Sequence, residues 1–146
     1  FCIGVAGYPE KHLESPSLQS DLKRLKEKAD AGADYVVTQM FFDNSKYFEF
    51  VEKARAMGIT IPIIPGIKPI AVKKHMQLLP QVFRVDLPED LINAIEKSTS
   101  SAEVKAVGIE WAIQQSLELK KAGVPVLHYY SMGKSENIKQ IAKAVF

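Results

Sequence analysis

The sequence predicts an α/β protein built on a parallel sheet, and three observations support this. Short runs of β-branched and aromatic residues alternate with longer segments of helical periodicity. Each predicted strand ends in polar or glycine-containing sequence, so the carboxyl ends would meet at one rim. The apolar run 35–43 contains the polar pair Thr38-Gln39, and a polar pair buried in a strand needs hydrogen-bond partners or a ligand.

Composition indicates one globular domain and excludes several function classes. The chain has 146 residues, of which 47% are hydrophobic and 25% are charged. The net charge of +2 gives no reason to expect nucleic acid or a membrane surface as a partner. No apolar run approaches the roughly 20 residues of a membrane span. The lone Cys2 excludes an intrachain disulfide and a multi-cysteine metal site, and it favours a cytoplasmic protein.

The first strand–helix unit is followed directly by the second strand. Residues 1–6 form a short apolar strand, and a helix is predicted over residues 16–31. One apolar stripe supports this helix, formed by Leu18, Leu22, Leu25 and Ala29. Gly32 is a suitable helix stop. Residues 35–42 form the second strand, because they are rich in Val, Tyr and Phe.

The second helix and the third strand follow in the same alternation. Asp43 or Asn44 can cap the helix, which is expected to end at Gly58. Residues 61–64 form the third strand. Residues 65–69, Pro-Gly-Ile-Lys-Pro, are expected to form a stiff loop after it.

The second half of the chain is mainly helical. Ser100 and Glu103 have the spacing of a capping box, which opens the longest helix, and Gly123 closes it. The predicted elements are helices over residues 71–78, 87–97, 102–121 and 135–145, a brief extended piece at 82–85 and a fourth strand over 126–130.

Strands alternating with helices imply a parallel sheet with right-handed crossovers. Four βα units with the helices outside would make half of a (βα)8 TIM barrel. Such a half-barrel would leave two strand edges unpaired, and its inner face, with Val36, Ile63 or their neighbours, would meet water. The competing architecture is a small doubly wound sheet, but the chain lacks the G-x-G-x-x-G turn expected for dinucleotide binding in that class.

Four motifs in order give the chain a resemblance to a known family. They are Gly7-Tyr8-Pro9-Glu10 with His12, the segment 30–34 leading into Thr38-Gln39-Met40-Phe41-Phe42-Asp43, Ile64-Pro65-Gly66-Ile67 with Pro69, and Leu127-His128-Tyr129-Tyr130-Ser131. Together they resemble methylenetetrahydrofolate reductase, over the carboxyl-terminal half of its catalytic barrel. The resemblance implies an FAD-dependent TIM-barrel enzyme of one-carbon metabolism and methionine biosynthesis. That enzyme reduces 5,10-methylenetetrahydrofolate to 5-methyltetrahydrofolate with NADH or NADPH.

The resemblance assigns cofactor binding to the first βα unit. Tyr8 and His12 would contact the ribityl–diphosphate arm of FAD. On the following helix, Asp21 would accept from a hydroxyl or an adenine amine, and Lys28 would face a phosphate. Arg24 and Glu27 occupy neighbouring positions where the family tends to have further cofactor contacts. The alternative is a turn tyrosine, a solvated histidine and a charged helix face exposed to water.

The resemblance assigns the folate and the nicotinamide to Gln39, His75 and Lys134. A primary amide both donates and accepts, so Gln39 could serve both substrates in turn. Its alternative is a core glutamine, while Thr38 is expected to point the opposite way and pack. The family commonly has glutamine at His75 and arginine at Lys134. Lysine keeps the charge there but loses the bidentate geometry of arginine.

No catalytic residue is expected in this chain, because the family's general-acid glutamate and its arginine-glycine-aspartate segment should precede Phe1. A chain that starts at Phe1, without Met and already in a strand, is expected to be a fragment. We expect it to be inactive alone, and to form a homo-oligomer or pair with the missing amino-terminal half. The rival functions are another barrel enzyme, such as an aldolase or an isomerase, and a non-enzymatic assembly module.

Overall fold

One four-stranded parallel sheet organises the molecule. The computed structural model describes residues 1–146. The strands are β1 (Gly4–Gly7), β2 (Tyr35–Met40), β3 (Ile63–Ile67) and β4 (His128–Tyr129). The helices are α1 (Leu18–Asp30), α2 (Asn44–Ala56), α3 (His75–Phe83), α4 (Glu89–Lys97), α5 (Ser101–Lys121) and α6 (Ser135–Val145). None of these helices is both long enough and apolar enough to cross a membrane.

The strand order identifies the architecture. The sheet runs β1-β2-β3-β4, so each strand pairs in parallel with the next one along the chain. A doubly wound sheet would reverse this order at a switch point, whereas a barrel advances in one direction. The sheet is therefore an arc of four βα units, and the predicted TIM-barrel fragment is confirmed.

The two faces of the sheet differ in burial. Val36 pairs with Val5 on one side and with Ile63 on the other. Val36 and Ile63 are buried in the main hydrophobic core, so of the residues predicted to meet water it is not these two but their neighbours that are partly exposed. Because side chains alternate across a strand, their neighbours Val37 and Ile64 lie on the opposite face, where they are only half-buried.

Two hydrophobic cores support the sheet. The larger one includes Leu22, Phe50 and Leu119, and the smaller one includes Leu79 and Ile95. Helix α5 packs closely on the segment that follows β3. The absence of a side chain at Gly108 allows this approach, because a Cβ atom there would collide with the backbone of Ile70. The residues that continue β3 toward the rim are thereby held in place.

The helix ends follow the local sequence. Ser17 Oγ accepts from Ser20 N at 3.1 Å, and Asp43 Oδ1 accepts from Ser45 N at 2.9 Å. Ser100 Oγ accepts from Glu103 N at 3.2 Å, as the capping-box spacing predicts. The Glu103 carboxylate turns back to the backbone N–H of Thr99, one residue before the cap.

Several strand and helix boundaries differ from those that the sequence predicts. β3 continues to Ile67, so Pro65 and Gly66 belong to the strand rather than to a loop. Helix α3 covers residues 82–83, which had been predicted as extended, and ends where Arg84 adopts a left-handed conformation with φ 55°. The other strands are shorter than predicted: β1 begins at Gly4, β2 ends at Met40, and β4 has only two residues.

Candidate functional site

Three cavities follow one another along the carboxyl-terminal rim of the sheet. The β1 cavity, about 290 Å³, lies between the end of β1 and α1. The middle cavity, about 360 Å³, shares Tyr8 and His12 with it. The β3–β4 cavity, about 410 Å³, lies beyond β3 and shares Val82 and Phe83 with the middle cavity. The three form a continuous series at the edge where parallel α/β folds hold their ligands.

The β1 cavity brings together all four residues predicted to bind the cofactor. Tyr8, His12, Asp21 and Lys28 line it, and Arg24 joins them. The rings of Tyr8 and His12 meet edge to face, with centroids 4.6 Å apart. The carboxylate of Asp21 accepts a hydrogen bond from the backbone N–H of His12, so it also holds the loop that presents these two rings.

The cations of the β1 cavity differ in their partners. Arg24 forms an ion pair with Glu27 at 2.7 Å, on the surface of α1. Lys28 is exposed and forms no ion pair. A ligand phosphate could therefore be met by Lys28 without breaking an existing contact.

Gln39 lies in the middle cavity with Tyr8 and His12, between the other two cavities. Its Oε1 atom accepts from the backbone N–H of Met40 at 3.0 Å, and its Nε2 atom donates to no protein group. Thr38 points the other way, as predicted, and is fully buried. Its Oγ1 atom accepts from Gly66 N at 2.9 Å, which ties β2 to the end of β3.

The β3–β4 cavity holds the two other predicted substrate residues, His75 and Lys134. His75 Nδ1 accepts from the backbone N–H of Ala71 at 3.3 Å, which leaves Nε2 as the protonated nitrogen of the neutral ring. Burial lowers the pKa of His75, and the nearby charges of Lys68 and Lys134 lower it further. His75 is therefore a neutral ring whose single N–H donor is at Nε2.

Sequence reasoning missed two residues of the rim, Lys68 and Glu10. Lys68 follows β3 directly and lines the β3–β4 cavity with only 8% of its surface exposed. Glu10 Oε1 accepts from Asp86 N at 2.9 Å, and its Oε2 atom is buried without a partner. Burial raises the pKa of Glu10 to about 7, with a smaller contribution from the Asp86 carboxylate. Their positions shortly after predicted strands could have indicated a role at the rim. Their burial could not be predicted, because it depends on residues distant in the sequence.

Two interior aromatic residues fit structural roles. Trp111 Nε1 donates to the carbonyl of Phe42 at 3.0 Å, and its ring packs against the smaller core. Tyr130 donates to the carbonyl of Thr38 at 2.8 Å and closes one wall of the β3–β4 cavity. No cluster of three or more His, Cys, Asp or Glu residues could hold a metal ion.

The sheet order and the rim cavities define the class of the protein: it is built as part of a TIM barrel, with its candidate binding residues at the carboxyl ends of the strands. Sequence comparison refines this class. The family model described as methylenetetrahydrofolate reductase matches residues 1–145. The chain belongs to the methylenetetrahydrofolate reductase family.

Relatives and a solved structure agree with this assignment. The chain is 36% identical to a probable methylenetetrahydrofolate reductase (NADPH) of Caenorhabditis elegans, over 99% of this chain and 22% of the relative. It is 40% identical to methylenetetrahydrofolate reductase (NADH) 1 of Arabidopsis thaliana, over 90% of this chain and 24% of the relative. It is 36% identical to the 5,10-methylenetetrahydrofolate reductase of Escherichia coli, over 93% and 46%. The chain thus spans between about a quarter and about half of these relatives.

A solved structure shares the fold. It is an uncharacterized protein from Clostridium thermocellum that binds two copies of 5-methyl-5,6,7,8-tetrahydrofolic acid. It superimposes with a TM-score of 0.66 over 98% of this chain and 52% of the other, at 19% identity. At this identity the similarity concerns the fold.

Proposed function

We propose that this chain is the carboxyl-terminal half of the catalytic barrel of a methylenetetrahydrofolate reductase. In the intact protein it would take part in reducing 5,10-methylenetetrahydrofolate to 5-methyltetrahydrofolate with NADH or NADPH, through FAD. One observation carries the proposal beyond family membership. Residues expected to bind the cofactor line one rim cavity, and those expected to bind the substrates line the next two.

The β1 cavity has the chemistry that the arm of FAD requires. A diphosphate needs positive charge, which Lys28 and Arg24 provide, and a ribityl chain needs donors and acceptors, which Tyr8 and His12 provide. Asp21 orders the loop through its bond to His12 N. Flavin, when bound, supplies the redox chemistry of hydride transfer, and the chain supplies binding and orientation.

Gln39 is suited to hold both substrates in turn. Its Nε2 group is a free donor and its Oε1 atom retains acceptor capacity beside the Met40 bond. The pterin edge and the nicotinamide carboxamide both present donors and acceptors. One side chain between the other two cavities could therefore orient either ring.

His75 and Lys134 would bind the remainder of the folate. With Nδ1 occupied by Ala71 N–H, a neutral His75 offers an Nε2–H donor, which replaces the amide N–H of the glutamine common in the family. Lys134 stands at the start of α6, where its charge adds to the positive helix end. This combination favours a carboxylate of the glutamate tail.

The proposal is tested on the intact protein by two measurements: its flavin content after purification, and the formation of 5-methyltetrahydrofolate from 5,10-methylenetetrahydrofolate with NADH or NADPH. We expect bound flavin and product formation with at least one nucleotide. Protein that retains flavin but forms no product with either nucleotide would contradict the proposed reaction.

A further inference from the structure

Lys68 is a largely buried lysine that lines the β3–β4 cavity, and its ammonium group has no partner in the protein. Only 8% of its surface is exposed, and its ammonium group forms neither a hydrogen bond nor an ion pair within the protein. The three ion pairs of the chain all lie on the surfaces of α1 and α2. Partial removal of a charge from water is costly unless the charge is paired, so an anionic ligand in the cavity would compensate the ammonium group of Lys68.

The walls around Lys68 contain no neutralising acid. The β3–β4 cavity is lined by Lys68, Lys134 and His75, and no Asp or Glu is among its lining residues. Burial lowers the pKa of both Lys68 and His75, and the charges of Lys68 and Lys134 lower that of His75 further. The cavity therefore has a positive potential that a bound anion would balance.

The rest of the cavity wall is mainly apolar. Leu78, Leu79, Val82, Phe83 and Ile138 contribute to it. A ligand that matches this surface has a flat or apolar body with an anionic group attached.

The backbone around Lys68 is fixed before any ligand arrives. Ile67 before it is fully buried in β3, and Pro69 after it restricts the chain. Ile70 is held against α5 by the close approach of Gly108. The backbone that carries Lys68 is thus preorganised at the cavity wall.

We propose that Lys68 is an anion-binding residue that determines specificity in the β3–β4 cavity, where its ammonium group binds a carboxylate of the folate tail or a phosphate of the pyridine nucleotide. The inference rests on the proposed function, because both ligands are its substrates. Both anions share the chemistry that the ammonium recognises, and they are carried by different molecules, so binding measurements separate them.

The test compares Lys68→Met, Lys68→Arg and Lys74→Met in the intact protein. Lys74 is an exposed lysine at the start of α3 that does not line the cavity, so its variant controls for the loss of one charge. Dissociation constants are measured for 5-methyltetrahydrofolate and for a tetrahydropterin that lacks the p-aminobenzoylglutamate tail. NADH is compared in the same way with dihydronicotinamide riboside, which has no phosphate.

We expect Lys68→Met to weaken one of the two anionic ligands about ten- to a hundredfold, as the loss of a charge-assisted hydrogen bond implies. The matching ligand without the anion should bind as it does to the wild type, Lys68→Arg should retain most of the affinity, and Lys74→Met should have no effect. The ligand whose affinity falls identifies the anion that Lys68 binds.

Three results would count against the inference. Wild-type affinity of Lys68→Met for both anionic ligands would overturn it while leaving the proposed function intact. An equal loss for the ligands that lack the anion would assign Lys68 a structural role and overturn it too. Wild-type protein that binds none of the four ligands would overturn the proposed function and this inference together.

Discussion

Gln39 combines a free amide donor with a position in the middle cavity, between the β1 cavity and the β3–β4 cavity. In the intact protein, Gln39→Ala should slow both flavin reduction by NAD(P)H and flavin reoxidation by the folate. Each half-reaction should lose roughly 1–3 kcal/mol of binding, because one hydrogen-bonding side chain is removed from each complex. Rapid-mixing absorbance measurements give both rates.

Gln114→Ala is the matched control, since Gln114 is exposed on α5 and bonds only to Glu110. Flavin content should be unchanged in both variants. Wild-type rates in both half-reactions of Gln39→Ala would remove Gln39 from the site.

The charged residues of α1 allow a second test. Asp21→Ala and Lys28→Ala should weaken flavin retention, and Asp21→Ala should do so more strongly because it also releases the loop at His12. Lys23→Ala, an exposed lysine of the same helix outside the cavity, is the control. Equilibrium dialysis that gives wild-type flavin affinity for both variants would reduce this set to a solvent-exposed face.

At residue scale, the motifs predict several of the side chains that the structure brings to the rim. The sequence places Tyr8 and His12 after the first strand and Gln39 near the carboxyl end of the second, and all three line the middle cavity. Lys68 and Glu10 were missed because burial is a non-local property. Glu10 is covered by a bond to Asp86, which lies 76 residues away in the sequence.

Helix and strand boundaries show the same division between local and non-local causes. The caps at Ser17 and Ser100 depend on residues within one turn, and sequence spacing predicted the second of them directly. The extension of β3 through Gly66 depends on Thr38 Oγ1, which belongs to another strand. A Pro-Gly pair alone indicates a turn. The strand conformation of this pair depends on contacts with the neighbouring strand, which the local sequence does not show.

The contact between Glu10 and Asp86 links the loop after β1 to the segment after α3. Burial of the Glu10 carboxyl at this contact raises its pKa and makes the packing of the two segments sensitive to pH. The pKa of Glu10 in the folded protein is about 7, above its ordinary 4.5. The folded state therefore binds this proton more tightly than the unfolded chain. The resulting stabilisation is complete below about pH 4.5 and is lost as the pH rises through about 7.

Glu10→Gln should remove this loss, because glutamine stays neutral and its Oε1 atom can still accept from Asp86 N. The unfolding temperature of the variant in the intact protein should exceed that of the wild type above pH 7, and the difference should shrink toward pH 4.5. Glu14→Gln, at an exposed position of the same loop, should follow the wild type. Parallel curves for Glu10→Gln and the wild type across this range would contradict the assignment.

The whole molecule is an open arc whose two outer strands, β1 and β4, each lack a partner on one side. Large apolar side chains near these edges are exposed, among them Ile3 and Val126. A polypeptide of residues 1–146 should therefore self-associate, because unpaired strand edges and apolar surface favour pairing with a second copy. Light scattering measures this, and a monodisperse monomer would contradict it.

The same polypeptide should show no turnover by itself, since we propose that it is only half of the catalytic barrel. Added amino-terminal barrel sequence should suppress the self-association by covering the same edges. Measurable reduction of 5,10-methylenetetrahydrofolate by residues 1–146 alone would contradict the half-barrel account.

We propose that this rim holds flavin and presents it to a folate, and an anaerobic titration of the intact protein follows both steps. NADH or NADPH should bleach the absorbance of the bound flavin, and 5,10-methylenetetrahydrofolate added afterwards should restore it with formation of 5-methyltetrahydrofolate. Bound flavin that is reduced by the nucleotide but not reoxidised by the folate would contradict the claim.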